Sequence, residues 1–344
     1  MTDILFDGLY ISSGGGMVMM CHLIDLMEKR FPGRIHYLID ARVGDKFPHL
    51  PDDRKTVLTG SLSTRWKYYR KHRNDFSVII CHGNIPPPVK CRGKVFIFVA
   101  NIYYCEIPKE FSFKFKFLLY MKQLFVRLTK GNADIWVMQS SFMKELWSKK
   151  FGIPQDKHWV YPIIDFHTLQ IPVPALPRRE DGDYLYVTDY TPGKRIEMLI
   201  EAWKILAGKG FHKALHLTCS RNAEKLRQLI EDAERAGARI VNHGFMPHSQ
   251  LDGLFRSCRA TVYNSANESL GLGLVEAIAF GCDVIAPDLP YVHSVCVPSL
   301  VFEDGSIGAI VDAVLRYERG EGGEAKALLK DETLPLLEAF AEVF

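Results

Sequence analysis

The sequence predicts an α/β protein built from two Rossmann-like domains in succession, each a parallel sheet with helices on both faces. Three observations lead there. Short runs rich in β-branched and aromatic residues alternate with stretches at helical spacing, the βα rhythm of parallel sheets. A chain of 344 residues suits two domains. Residues 171–183 (IPVPALPRREDGD) are rich in proline and charge, poor material for helix or strand, and mark a linker.

In chain order, Ile4–Phe6 reads as the first strand. The turn SSGGGM follows, then a helix with apolar residues at Met17, Met20, Cys21, Ile24 and Met27, a spacing that makes the methionines core. Gly14, Gly15 and Gly16 are either a tight turn or a phosphate cradle, and they lack the G-x-G-x-x-G spacing of dinucleotide sites. Further strands are expected at Ile35–Ile39, Val78–Cys81, Val95–Val99 and Ile135–Met138. Parallel sheets bind ligands at the carboxyl ends of their strands. His82 and Asn101 fall at two such ends, although a histidine there is also commonly a hydrogen-bonded structural residue. In the second half the strands should be Tyr184–Thr188, Leu215–Cys219, Arg239–Val241, Thr261–Tyr263, Val284–Ala286 and Leu300–Phe302. The last segment, Ala325–Phe344, reads as helical apart from Pro335.

Composition narrows the class. With 47% hydrophobic and 24% charged residues, both halves can hold ordinary packed cores. The start, MTDILFDGLY, has neither the basic leader nor the apolar core of a signal peptide, and no apolar run reaches about 18 residues, so no crossing of a membrane is expected. Eight cysteines occur without a C-x-x-C pair, and Cys81, Cys219, Cys258 and Cys282 lie in apolar runs. This suits buried thiols in a reducing cytoplasm. The net charge of +3 hides an asymmetry: residues 1–165 hold 25 Lys+Arg and 15 Asp+Glu, so the first half carries +10 and the second −7. Two segments of the first half, Arg65–Arg73 and Lys109–Lys130, interleave basic and aromatic residues. They read as amphipathic helices with solvated lysines, or as contacts with an anionic bilayer surface or a lipid-linked acceptor; the charge of the half tips the balance towards the membrane. No nucleic-acid module accompanies them.

The chemistry is expected in residues 259–286, RATVYNSANESLGLGLVEAIAFGCDVIA read with its last alanine at Ala286, a strand, a glycine-containing loop, a helix and a strand. A helix start at the end of a buried strand offers free amides to an anion, and Gly271 and Gly273 let a phosphate approach the backbone. Glu268 and Glu276 bracket the loop. Acids beside a phosphate site make sense when they accept hydrogen bonds from sugar hydroxyls, so the residues point to a sugar–diphosphate–ribose ligand, a nucleotide sugar. In the turn DYTPGKR, Lys194 can neutralise a diphosphate as a point charge, or belong to a surface loop.

This glutamate pair, continued by E-A, Gly281 and the strand V-I-A, resembles the signature of glycosyltransferase family 4, whose members are retaining enzymes of the GT-B fold, two Rossmann-like domains with a deep cleft between them. The resemblance is continuous from Tyr184 to about Tyr317 and weaker but collinear before it. It implies an acceptor-binding domain at 1–168, closed by KHWVYPIID as its last strand, a nucleotide-sugar-binding domain at 169–324, and a final helix within 325–344 that packs back on the first domain. By the same resemblance Glu276 accepts from the ribose hydroxyls and Glu268 orients the donor sugar. The amides of Leu270, Gly271 and Leu272 stabilise charge on the leaving diphosphate. The backbone of Phe245 and Met246 holds the nucleobase, Lys194 touches the donor phosphates, Gly15 and Gly16 face the diphosphate, and His82 approaches donor sugar and acceptor. Catalytic roles thus fall to His82, Lys194 and Glu268. Two positions depart from the family pattern: Asp189 stands where an arginine is usual, with Arg195 as the alternative source of charge, and Asn101 on the acceptor side stands where many relatives have histidine.

The function implied is a cytoplasmic, retaining glycosyltransferase, peripheral at the inner face of the membrane, that moves a sugar from a nucleoside-diphosphate sugar to a glycan or polyprenyl-diphosphate-linked acceptor of a bacterial surface polysaccharide or glycolipid. No cofactor or metal is expected, because no D-x-D pair stands where a nucleotide-bound metal would sit. The alternatives are a GT-B scaffold or glycan-binding protein that has lost catalysis, and a nucleotide-sugar epimerase.

Overall fold

The computed structural model describes residues 3–108, 111–166, 171–173, 175–220 and 224–343. The chain forms two compact units, Met1–Asp165 with Asp331–Phe344, and Phe166–Lys330. The predicted boundary between 168 and 169, Pro174 of the predicted linker, and Lys109 and Glu110 of the second basic segment lie outside the described residues.

The first unit runs β1 (Ile4–Gly8), α1 (Gly14–Arg30), β2 (Ile35–Asp40), β3 (Lys55–Leu58), α2 (Leu62–His72), β4 (Val78–Cys81), β5 (Lys94–Val99), α3 (Phe113–Thr129), β6 (Ile135–Met138), α4 (Ser141–Phe151) and β7 (His158–Val160). Its seven strands are parallel in the order β3-β2-β1-β4-β5-β6-β7. Alternate residues face opposite layers, as the strand pleat requires. Ile4, Phe6, Tyr37, Ile80 and Phe96 meet α1 on one face; Leu5, Leu38, Ile79 and Ile97 meet Tyr69 of α2, Val126 of α3 and Trp147 of α4 on the other. Strand β3 escaped the sequence reading because it is an edge strand with half-exposed residues and no apolar run. Gly14, Gly15 and Gly16, which the sequence leaves open between a tight turn and a phosphate cradle, form the first turn of α1.

Arg65 overturns part of the reading of Arg65–Arg73 as a solvated basic surface. Its side chain is 2% exposed and pairs with Asp7 of β1 at 2.8 Å. The rest of its fork donates to the carbonyls of Pro86 (2.7 Å) and Ile85 (3.2 Å), and Tyr69 donates to the same Asp7 oxygen at 2.8 Å. Burying a guanidinium is costly unless it is paired and its donors are used, which is the case here.

The second unit runs β8 (Asp183–Tyr186), α5 (Ile196–Ala207), β9 (Leu215–Leu217), α6 (Glu224–Arg235), β10 (Ile240–Asn242), α7 (Leu251–Ser257), β11 (Cys258–Val262), α8 (Leu272–Ala279), β12 (Asp283–Pro287), α9 (Pro290–Val295), β13 (Cys296–Val297), β14 (Leu300–Phe302), α10 (Ile307–Glu318) and β15 (Lys326–Ala327). Six parallel strands lie in the order β10-β9-β8-β11-β12-β14. Two predicted strands end early: β8 stops at Tyr186 and β9 at Leu217, where side chains of the following loops take over the hydrogen bonding. Helix α8 stops at Gly281, whose φ is +78° and whose place any Cβ would lose to the Pro177 carbonyl, 2.3 Å away.

The C-terminal segment is a correction. Ala325–Lys330 is not helical: β15 pairs antiparallel with β13, and Leu328 N donates to the Val295 carbonyl. Only α11 (Thr333–Ala341) is helix, with Pro335 tolerated in its first turn. It belongs to the first unit, where Leu336, Leu337 and Phe340 enter the core beside α1. All eight cysteines are free, and burial pushes the Cys81, Cys219 and Cys258 thiols up to about 12.

The buried pair yields a stability prediction. Arg65→Ala strands Asp7 without its partner and should lower the unfolding free energy by roughly 3–5 kcal/mol in urea denaturation; an unchanged midpoint would contradict the role given to the pair.

Candidate functional site

In the second unit the strand order reverses between β8 and β11, since β9 and β10 lie on one side of β8 and β12 and β14 on the far side of β11. At such a switch point the loops leaving the two strands diverge and open a crevice at their carboxyl ends. The loop after β8 carries Lys194 and Arg195; the loop after β11 carries Glu268 to Gly271.

Backbone contacts tie these loops together. Ala266 N donates to the Gly193 carbonyl at 2.8 Å, and the Nδ2 of buried Asn264 donates to the Arg195 carbonyl at 3.0 Å. Arg195 is held in the left-handed region with φ +49°, a conformation an arginine keeps only where its surroundings over-determine it. Charges complete the joint. The Lys194 Nζ forms an ion pair with Glu268, which also accepts from the buried Tyr263 hydroxyl at 3.0 Å. Arg195 pairs with Asp304, which follows β14, and Tyr291 of α9 donates to the Ser265 carbonyl at 2.7 Å.

Helix α8 starts at this joint. Gly271 is its left-handed N-cap (φ +69°) and no side chain caps the helix, so its first amides are not used by a capping group. One turn further, Glu276 is 4% exposed, and its Oε1 lies 3.1 Å from Nδ1 of His248. The hydrogen bond and charge of Glu276 raise the His248 pKa above the usual value. His248 stands just past the loop that leaves β10, so the stretch of Phe245 and Met246 is linked to Glu276 through it. Phe245 is exposed, whereas Met246 leans on the core cluster around Phe255 and Phe280.

The structure therefore gathers Lys194, Arg195, Glu268, Leu270, Gly271, Leu272 and Glu276 in one unit, with Phe245 and Met246 attached through His248. Asp189, where the resemblance leads one to look for an arginine, is exposed and accepts from its neighbour Tyr190 N at 2.7 Å. Arg195 is committed to Asp304. The sequence reading missed Tyr263, Asn264, Tyr291, Asp304 and His248. His248 lay in the stretch HGFMPHSQL, but nothing in one-dimensional spacing pairs it with a residue of α8.

Gly15, Gly16 and His82 form a separate group in the first unit, at that sheet's own reversal between β1 and β4. The space where a Cβ of Gly15 would lie is open. His82 is 2% exposed between Phe6 and Phe98, and burial pushes its pKa down to about 4, so the ring is neutral. Its Nε2 donates to the Gly16 carbonyl at 3.1 Å, which fixes the first turn of α1. Asn101 accepts from Tyr103 N at 2.9 Å and donates its own amide N–H to Asn84, so it caps a local turn. Among the described residues no cluster of three His, Cys, Asp or Glu side chains is arranged to hold a metal.

The His248 contact gives a direct test. The histidine should titrate by NMR above its ordinary value of about 6.5, and Glu276→Gln should bring it down. Because the folded pKa is the raised one, the stabilisation from this contact is complete below about pH 6.5 and fades as pH rises through the folded value. An unmoved midpoint in Glu276→Gln would remove the contact.

Residues 172–331 match the model of the family described as glycosyl transferases group 1. No curated protein is significantly similar in sequence. Solved structures share the fold over nearly the whole chain. WaaG, a glycosyltransferase involved in lipopolysaccharide biosynthesis, superposes with a TM-score of 0.66 at 15% identity, covering 99% of this chain and 93% of that one. The lipopolysaccharide outer core galactosyltransferase WaaB gives 0.62 at 18% identity over 94% and 92%. HepE of Anabaena, in complex with UDP and glucose, gives 0.64 at 15% identity over 93% and 91%. With two parallel-sheet units and these neighbours, the chain has the GT-B fold, and its second unit carries the match to glycosyl transferases group 1.

Proposed function

We propose that the protein is a retaining glycosyltransferase of family 4 that moves a sugar from a nucleoside-diphosphate sugar to a glycan or lipid-linked acceptor in the synthesis of a bacterial surface polysaccharide or glycolipid. The observation that carries this reading is the joint at the β8/β11 reversal, where a lysine, a paired carboxylate, an uncapped helix start and a buried second carboxylate converge. The family match over the same unit and the UDP and glucose held by HepE support it.

In this reading Lys194 and the amides of Leu270, Gly271 and Leu272 take the diphosphate, whose negative charge grows as the bond to the sugar breaks. In the first unit His82 fixes the turn that holds Gly15 and Gly16. Glu268 orients the sugar hydroxyls, and Glu276, its Oε1 engaged by His248, offers Oε2 to the ribose. Phe245 and Met246 present backbone to the base, and Asn101 belongs to the acceptor side. The acceptor oxygen bonds to the anomeric carbon on the face the phosphate leaves, and its proton passes to the departing phosphate oxygen. No metal is assigned, and the first half, with its charge of +10, suits an acceptor carried at the cytoplasmic face of an anionic membrane.

One observation favours a catalytically silent glycan-binding scaffold: Asp189 is an acid, and Arg195 is bound to Asp304. Slow hydrolysis of a donor sugar by the purified protein eliminates that reading.

Three kinetic outcomes are expected. Lys194→Ala should lower kcat/KM about tenfold or more, the scale of a lost charged contact. Glu276→Ala should raise donor KM with a smaller effect on kcat, and EDTA should leave the rate unchanged. Wild-type kinetics from either variant removes that residue from the site, and loss of activity in EDTA restored by a divalent cation refutes the metal-free assignment.

A further inference from the structure

Helix α3 (Phe113–Thr129) is amphipathic the wrong way round for a solvated surface. Its inward face is Leu119, Gln123, Val126 and Thr129. The opposite face, at the same helical spacing, carries Phe113, Phe117, Tyr120, Leu124 and Leu128, and these large side chains stand in solvent: Phe113 is 85% exposed, Phe117 57% and Leu128 76%. An isolated exposed leucine needs no explanation, but a continuous apolar stripe along four turns does. The helix contains no acid, and Lys114 and Arg127 stand exposed along the stripe, with Lys116 half-buried beside it.

The two basic segments therefore differ in kind. On α2 the outward residues include Lys67, Arg70 and Lys71, an ordinary solvated face, while Arg65 is sealed in the core. On α3 the outward residues are apolar with a cationic margin. That is the pattern of a helix lying in the plane of a bilayer, its rings and leucines in the acyl boundary and its lysines at the headgroups. The helix is too short to cross, and among the described residues no helix is long and apolar enough to do so.

We infer that α3 is a docking surface for an anionic lipid bilayer. Charge complementarity favours this occupant over a second copy of the chain, because the half that carries α3 has a charge of +10 and would repel itself. Size argues the same way. A 17-residue helix is about 25 Å long and its stripe about 10 Å wide, well short of the roughly 800 Å² per partner of a stable protein interface. The inference goes beyond the enzymatic reading and does not depend on it, since vesicle binding requires neither donor nor turnover.

The test is co-sedimentation of the full chain with vesicles of phosphatidylethanolamine and phosphatidylglycerol, and with vesicles of phosphatidylcholine alone. The wild type should partition at least tenfold more onto the anionic vesicles. Phe113→Ser with Phe117→Ser and Leu128→Ser should remove most of that binding, and Lys114→Glu with Arg127→Glu should weaken it. Because all five side chains are exposed, circular dichroism and Tm should match the wild type, which separates lost docking from lost folding. In Phe117→Trp the indole emission should shift to the blue on anionic vesicles alone. Wild type that stays in the supernatant, serine variants that still bind, or a dimer in sedimentation velocity that the serine changes dissolve would each overturn the inference.

Discussion

The ion pair between Lys194 and Glu268 is the contact on which the candidate site depends. Each residue belongs to a loop leaving a different strand, and the pair closes the gap where the sheet order reverses. Around it the Gly193–Ala266 and Arg195–Asn264 hydrogen bonds make two loops behave as one body. The consequence for ligand binding is specific. A diphosphate that reaches Lys194 shares that cation with a carboxylate, so much of its stabilisation has to come from backbone amides at the start of α8. Neutral hydroxyls, in contrast, find an acceptor already oriented by two donors. A ligand with a diphosphate next to a polyhydroxylated ring satisfies both halves of this arrangement.

A similar economy of fixed polar groups governs the first unit. Asp7 near the carboxyl end of β1 meets Arg65 of α2 inside the core, and Tyr69, the Leu9 amide and the Pro86 and Ile85 carbonyls take further hydrogen bonds of the pair. Nearby, His82 is kept neutral by burial and spends its one N–H on Gly16. Both groups hold loops at the end of a parallel sheet in one conformation. In this structure His82 acts on its surroundings through the glycine turn, as a positioning residue.

What could be read from sequence follows from how local each signal is. Buried central strands such as Val78–Cys81 and Ile135–Met138 announce themselves as apolar runs, and the strand–loop–helix unit that holds Glu268 and Glu276 is contiguous in the chain. The edge strand Lys55–Leu58 has no such run, and the short pairing of Lys326–Ala327 with Cys296–Val297 is a tertiary contact that overrides helical propensity. The partners of the site residues were hidden for the same reason. Asp304 lies 109 positions from Arg195, and His248 meets Glu276 only because β10 and α8 deliver them to one place. Arg65 was misread because a basic, aromatic segment looks the same whether one of its cations points to solvent or to a buried aspartate. The exposed stripe of α3 was foreshadowed by its composition, but which of its faces turns inward needed the fold.

The central claim is that the β8/β11 joint binds a nucleoside diphosphate, and equilibrium binding measures it most directly. Thermal stabilisation of the wild type and of Lys194→Ala would be followed against UDP, GDP, ADP and CMP, with and without magnesium. Ligand at a hundred times its Kd should add roughly 2.7 kcal/mol of stability. The account predicts that one nucleoside diphosphate raises the Tm of the wild type without metal and that the rise is largely lost in Lys194→Ala. A panel that leaves the Tm unmoved, or a rise retained in full by Lys194→Ala, would contradict it.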